Sequence, residues 1–231
     1  MQPYFQNDLV TLYLGDAEEV MPTIPTDSIH LLLADPPYGV EFKSNRGGHE
    51  KIHGDDSTEY VRNLMSLACR PLRRGRHAYV FGPPEVIPEQ LTATTNIIWD
   101  KEIVGMGDLS QPWGPSHENI TFAVYEPSKA NRAKGYGKLS ARMRQGSVIR
   151  AQRTNGAATL RHPTEKPVRL LRQLIESSSV MDEVVFDPFV GVGSTLVAAV
   201  LEGRRGIGIE IRESYAEAAT KRLEKLRFQE E

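Results

Sequence analysis

Apolar residues in this chain come in short runs separated by stretches with helical spacing. The runs predict strands at Val10–Leu14, Ile29–Ala34, His77–Phe81, Asn96–Trp99, Asn119–Tyr125, Glu183–Phe186 and Gly206–Ile209. The 3.6-residue pattern predicts helices at Ala17–Met21, Thr58–Cys69, Val168–Ser177, Thr195–Leu201 and Arg212–Phe228. In the last of these, Tyr215, Ala219, Leu223 and Leu226 share one face, and Gly203 is a natural stop for the helix before it. Strands alternating with helices predict an α/β, doubly wound, mostly parallel sheet of seven strands. Two stretches break the pattern: Gly39–Ser57, rich in Gly, Asp and His, and Glu126–Arg161, with few apolar positions. A loop that long inside a domain tends to be functional.

The 231 residues suit one large domain or one domain with an insertion. A single cysteine, Cys69, excludes a disulfide framework. No apolar run approaches the roughly 18 residues of a membrane span, and the start MQPYFQNDLV lacks the features of a signal peptide, so a cytoplasmic protein without a membrane partner is expected. The net charge of −2 hides an asymmetry. Residues 126–161 hold nine Lys/Arg against one acid, a net +8 that leaves −10 for the rest. A basic block in an acidic body is the footprint of a polyanion site; its bland alternative is a solvated loop.

Asp35-Pro36-Pro37-Tyr38 follows the run His30–Ala34. Such a string arises by chance in roughly one chain in a thousand of this length. It suits a particular chemistry. The exocyclic amine of adenine or cytosine is a poor nucleophile, because its lone pair is delocalised into the ring. A carboxylate (Asp35) and a backbone carbonyl (Pro36) can accept its two N–H bonds and favour a tetrahedral nitrogen. Two prolines stiffen the backbone that presents them. Tyr38 offers a flat face for a base swung out of a duplex.

Asp187-Pro188-Phe189-Val190-Gly191-Val192-Gly193-Ser194-Thr195 follows a second strand and opens a helix. Gly191 and Gly193 permit a tight turn and a close ligand, and the helix N-terminus faces an anion. Glu210, nineteen residues after Gly191, ends the next strand, where an acid can hold two ribose hydroxyls. A dinucleotide-binding fold is the rival, but G-x-G-x-x-G fails because position 196 is Leu.

Asp35–Tyr38, then His162-Pro163-Thr164-Glu165-Lys166-Pro167, then Asp187–Thr195, in that order, resemble the beta class of amino-methylating DNA methyltransferases. Leu14–Ala17, Ile97–Lys101 and His117–Ile120 resemble further segments of that family, so the resemblance covers nearly the whole chain. It implies the methyltransferase sheet and S-adenosyl-L-methionine (SAM) as cofactor. Asp16 would then contact the adenine amine and Glu210 the ribose, while Phe189, Gly191, Gly193, Ser194 and Thr195 would wrap the methionine part. Thr164 and Lys166 would sit near its carboxylate, and Asp35 and Asp187 would border the cofactor. Asp35, Pro36, Pro37 and Tyr38 would form the catalytic motif.

The implied division is a catalytic half at 1–125, a short basic target-recognition insertion at 126–161, and a SAM-binding half at 162–231. The insertion would place Lys129, Arg132, Lys134, Lys138, Arg142, Arg144, Arg150 and Arg153 on double-stranded DNA. Its shortness suggests a short recognition site or help from a second subunit in a homodimer. A cognate restriction nuclease is a further partner of such enzymes. The segment Gly39–Ser57 resembles a loop that orders over cofactor or DNA.

His49-Glu50-Lys51-Ile52-His53 matches the zinc motif H-E-x-x-H, but flanking glycines at 47, 48 and 54 leave little room for the helix that motif needs, so no metal is expected. Asp rather than Ser at position 35 favours adenine N6 over cytosine N4 as target. An inactive SAM-fold subunit and an NAD oxidoreductase are the remaining alternatives; the intact motifs oppose the first and Leu196 the second.

Overall fold

A computed structural model describes residues 1–37, 58–105, 109–110, 112–126, 145–152 and 165–227. Its strands are β1 (Phe5–Gln6), β2 (Val10–Leu14), β3 (Ile29–Ala34), β4 (Leu72–Phe81), β5 (Leu91–Asp100), β6 (His117–Tyr125), β7 (Val148–Arg150), β8 (Val184–Asp187) and β9 (Arg205–Glu210). The helices are α1 (Ala17–Val20), α2 (Thr58–Cys69), α3 (Val168–Ser178), α4 (Ser194–Leu201) and α5 (Glu213–Arg227). The strands form one sheet in the order β1-β2-β9-β8-β3-β4-β6-β5-β7. Five of its eight pairings are parallel; those of β1 with β2 and of β6 with β4 and β5 are antiparallel.

The expected count of seven strands is corrected to nine among the described residues. The first addition, β1, is two residues long, too short to show a period. The second, β7, lies inside the segment expected to be irregular. It pairs with Ile98–Asp100 because Ile149 and Ala151 are buried, and the Trp99 indole Nε1 donates to the Ala151 carbonyl at 2.7 Å. Three ordered residues with one inward side chain are enough to extend a sheet, yet leave no readable pattern.

β3 is buried on both faces, as a central strand of a doubly wound sheet must be. Leu32 and Ala34 pack toward α1 and α2, with Val20, Val61, Leu64, Met65 and Ala68. Leu31 and Leu33 pack toward α3 and α4, with Leu170, Leu174, Ala198 and Ala199. Helix α5 covers the β2 side through Ala216, Ala219 and Leu223. Tyr215, expected on that face, is half-buried and stacks under the Arg212 guanidinium instead, 5.6 Å from it. No described helix is long and apolar enough to cross a membrane.

The chain steps from β3 to β4 on one side and from β8 to β9 on the other. The strand order therefore reverses between β3 and β8. In open α/β sheets a crevice opens at the C-terminal strand ends at such a point, and ligands bind there. Asp35 follows β3, Asp187 ends β8, Glu210 ends β9, and Asp16 lies two residues beyond Leu14, the register partner of Glu210. The topology thus gathers four of the acids singled out in the sequence at one edge.

Candidate active site

The loop after β8 is held from several directions. Val190 N–H donates to the Ile209 carbonyl at 3.0 Å, and Gly193 N–H closes a turn onto Val190 at 3.0 Å. Glu210 is buried, and both its carboxylate oxygens accept backbone N–H groups, from Gly191 at 2.7 Å and Arg212 at 2.8 Å. Burial pushes its carboxyl above the usual range, while those N–H bonds pull it back. The Arg222 guanidinium spans from the Val192 carbonyl to Glu165, at 2.8 and 2.9 Å, and Ser194 Oγ donates to Glu165 at 3.0 Å. Gly193 is left-handed at φ 87°, where α4 begins. A fixed loop of this kind holds its backbone ready for a ligand instead of ordering it on binding.

Asp16 caps α1, its Oδ1 accepting from Glu18 N–H at 2.8 Å. Asp187 is buried and accepts from Phe189 N–H at 2.9 Å. Burial pushes its carboxyl up to about 7; Thr195 and the Phe189 N–H oppose the rise, and the nearby Asp35 and Glu210 charges add to it. The folded protein therefore binds a proton here more tightly than the unfolded chain. That contribution to stability is fully present below the ordinary carboxyl value of 3.8 and is lost as pH rises through about 7. Asp187→Asn keeps the shape and an acceptor oxygen but removes the charge. We expect it to melt at a higher temperature than the wild type at pH 8 without ligand, with the gap closing toward pH 5. A gap independent of pH in differential scanning fluorimetry would contradict this.

Lys166 lies just before α3, which begins after Pro167. Its side chain is 8% exposed, and its Nζ donates to Asp35 Oδ2 at 2.6 Å. The same ammonium is 3.5 Å from Glu118 Oε2 and 5.0 Å from the centre of the Phe81 ring. Glu118 Oε1 in turn holds Lys101 Nζ at 2.8 Å, and that ammonium lies 5.4 Å from the Trp99 ring centre. Burial lowers the Lys166 ammonium, but Asp35 and then Glu118 more than reverse this and hold it above the usual lysine value. Burial raises the Glu118 carboxyl, but Lys166 and Lys101 bring it below the usual range.

The structure thus brings together Asp35, Lys166, Asp187, Glu210, Asp16, Phe189, Gly191, Gly193, Ser194 and Thr195 at one sheet edge. Pro36 is buried and Pro37 half-buried behind Asp35. Tyr38 and Thr164 lie outside the described residues, as do Lys129, Arg132, Lys134, Lys138, Arg142, Arg144, Arg153 and the His49–His53 motif. Arg150 is described: its side chain is 73% exposed on β7, 3.5 Å from Asp100. Sequence reasoning quoted Lys101 and Glu118 only as parts of resembling segments. Lys101 follows β5 and Glu118 lies near the start of β6, its antiparallel neighbour, and a charge beside a strand end is too common to single either residue out in the sequence.

A mostly parallel sheet with a glycine loop after one strand and an acid ending the next is the arrangement of a nucleotide-cofactor site. The chain belongs to the DNA methylase family N6_N4_Mtase, which matches residues 29–221. The DNA adenine methyltransferase YhdJ of Escherichia coli strain K12 is 25% identical over 250 residues, covering 95% of this chain and 84% of that protein. Among solved structures, the M1.HpyAVI–SAM complex aligns with a TM-score of 0.68 at 18% identity, over 93% of this chain and 99% of that one. The cytosine-N4-specific PvuII DNA methyltransferase aligns with a TM-score of 0.71 at 15% identity, over 96% and 88%. The protein is a DNA methyltransferase with the methyltransferase fold, and its methyl donor is SAM. The residues present fit that cofactor: carboxylates at the adjacent ends of β2 and β9 suit an amine and ribose hydroxyls, and the glycine loop beside them admits a close chain.

Proposed function

We propose that the protein methylates the exocyclic N6 of adenine in duplex DNA, at a specific site, by base flipping and direct in-line transfer. The observation that carries this reading is Asp35 at the end of β3, across the strand-order reversal from Asp187. When bound, SAM supplies a methyl group on a sulfonium, whose leaving group is a neutral thioether. The chain supplies alignment and acceptors. The Asp35 carboxylate and the Pro36 carbonyl accept the two N–H bonds of the flipped amine, which frees the nitrogen lone pair for the methyl carbon. As the N–C bond forms the nitrogen becomes cationic, and Asp35 stabilises that charge until a proton leaves to water.

In this reading Glu210 holds the ribose, Asp16 the adenine of the cofactor, and residues 189–195 its methionine part. The basic residues of 126–161, Arg150 among them, grip phosphates. The enzyme would act on nucleoid DNA in the cytoplasm. Asp at position 35 and the named activity of YhdJ support adenine. The test is to react the purified protein with labelled SAM and mixed-sequence duplex DNA, digest to nucleosides and separate them. Label is expected in N6-methyladenine; label confined to N4-methylcytosine would reverse the choice of base.

A further inference from the structure

Four buried or half-buried charges alternate in sign from β5 to β3: Lys101, Glu118, Lys166 and Asp35, joined at 2.8, 3.5 and 2.6 Å. Asp35 is the member that meets the substrate. The Lys166 ammonium 2.6 Å from it is a cation, which works against it. A carboxylate whose charge is neutralised by an ammonium is a weaker acceptor, and the ammonium repels the positive charge that grows on the target nitrogen. Glu118 stands on the other side of that ammonium and is itself fixed by Lys101.

We propose that Glu118 is a positioning residue for methyl transfer: anchored by Lys101, it takes a share of the Lys166 cation that would otherwise neutralise Asp35. The four charges sum to zero with Glu118 ionised. Without it the row carries a net positive charge beside a reaction that develops another. Lys166 remains useful in this arrangement, because its short bond fixes Asp35 against the buried Pro36. The β6 position of Glu118 suits the task, since a strand places its carboxylate with little freedom.

The inference rests on transfer to an exocyclic amine and holds for either base. A cytosine product would overturn the adenine assignment and leave this comparison intact. Four proteins are compared: wild type, Glu118→Gln, Glu118→Asp, and Glu118→Gln combined with Lys101→Met. Single-turnover rates, KM for duplex DNA and SAM affinity are measured, with melting temperatures as a check on folding. Glu118→Gln is expected to slow transfer roughly ten- to a hundredfold, the effect of one unit charge several ångströms away in a partly buried site, with KM and SAM affinity within about threefold. Glu118→Asp, which keeps the charge but retracts it, should lose only several-fold. The double variant restores the charge balance and should recover most of the rate lost by Glu118→Gln. A wild-type rate for Glu118→Gln, or a double variant no faster than the single one, overturns the proposal. Should the Gln variants not fold, a wild-type rate for Glu118→Asp does so.

Discussion

Replacing Asp35 by alanine is expected to slow methyl transfer by roughly a hundredfold or more while SAM affinity stays within a few-fold. The size follows from the role. An acceptor that strengthens only as charge develops on the nitrogen contributes to the transition state and little to ground-state binding. Loss of one such preorganised group typically costs two to three orders of magnitude, about 3–4 kcal/mol. The cofactor contacts proposed here lie just beyond β2, at the end of β9 and on the loop after β8, whereas Asp35 follows β3. The substitution also removes the 2.6 Å partner of a lysine that is 8% exposed. A buried cation that loses its partner is destabilising, but Glu118 at 3.5 Å remains to receive it, so a folded, less stable protein is expected. Asp35→Asn separates the two effects, because the amide keeps an acceptor oxygen without the charge. Its rate should fall between those of wild type and Asp35→Ala. Single-turnover kinetics with labelled SAM, beside calorimetric SAM binding, decide the matter; full turnover by Asp35→Ala on duplex DNA would remove Asp35 from the mechanism.

Which parts of the fold could be read from the chain depends on how each signal arises. Val10–Leu14, Ile29–Ala34 and Thr58–Cys69 have the boundaries expected from patterning alone. Each is bounded by a residue type with a physical reason to stop or start, and each buries a face wide enough to impose a period. β4 and β5 run longer than their apolar runs, because Leu72 pairs with Ile29, and Leu91, Thr92 and Thr95 pair with β6, across register shifts that skip residues 73–76 and 93–94. Backbone hydrogen bonds extend a strand where side chains give no pattern. Site residues show a similar split. Local motifs such as Asp35-Pro36-Pro37 and the 187–195 loop could be named outright, and the topology placed them together. The contact between Lys166 and Asp35 spans 131 residues, and no local pattern encodes it. Resemblance put Lys166 near the cofactor carboxylate; the structure sets its ammonium against Asp35, the carboxylate proposed to act in methyl transfer. The basic segment gave the least: its charge was plain, but among its described residues only β7 carries an apolar residue turned into the sheet.

Gly193→Ala should be strongly damaging, because backbone strain and a steric clash coincide there. Gly193 has φ 87°, a conformation that costs an L-residue roughly 1–2 kcal/mol. A Cβ there would lie 2.8 Å from the Ala219 Cβ and 3.1 Å from its Cα. Ala219 is fully buried on α5, in the cluster with Leu196 and Leu223, so neither atom is a flexible end that can swing aside. Relief requires α4 and α5 to separate, a form of overpacking that typically costs a further 1–3 kcal/mol. Together these predict a loss of about 2–5 kcal/mol, or a melting temperature lower by roughly 5–15 °C for a domain of this size. Function should suffer beyond the stability loss. Gly193 ends the loop that Gly191, Val192 and Glu210 hold in place, and any movement of α4 shifts the backbone offered to the cofactor. SAM affinity should therefore fall at a temperature where the variant is still folded. Gly146→Ala is the matching control, since a Cβ there meets nothing within 4 Å. A Gly193→Ala protein that melts with the wild type and binds SAM equally well would mean that the α4–α5 contact is looser than its geometry implies, and that this loop adapts to its ligand instead of waiting for it.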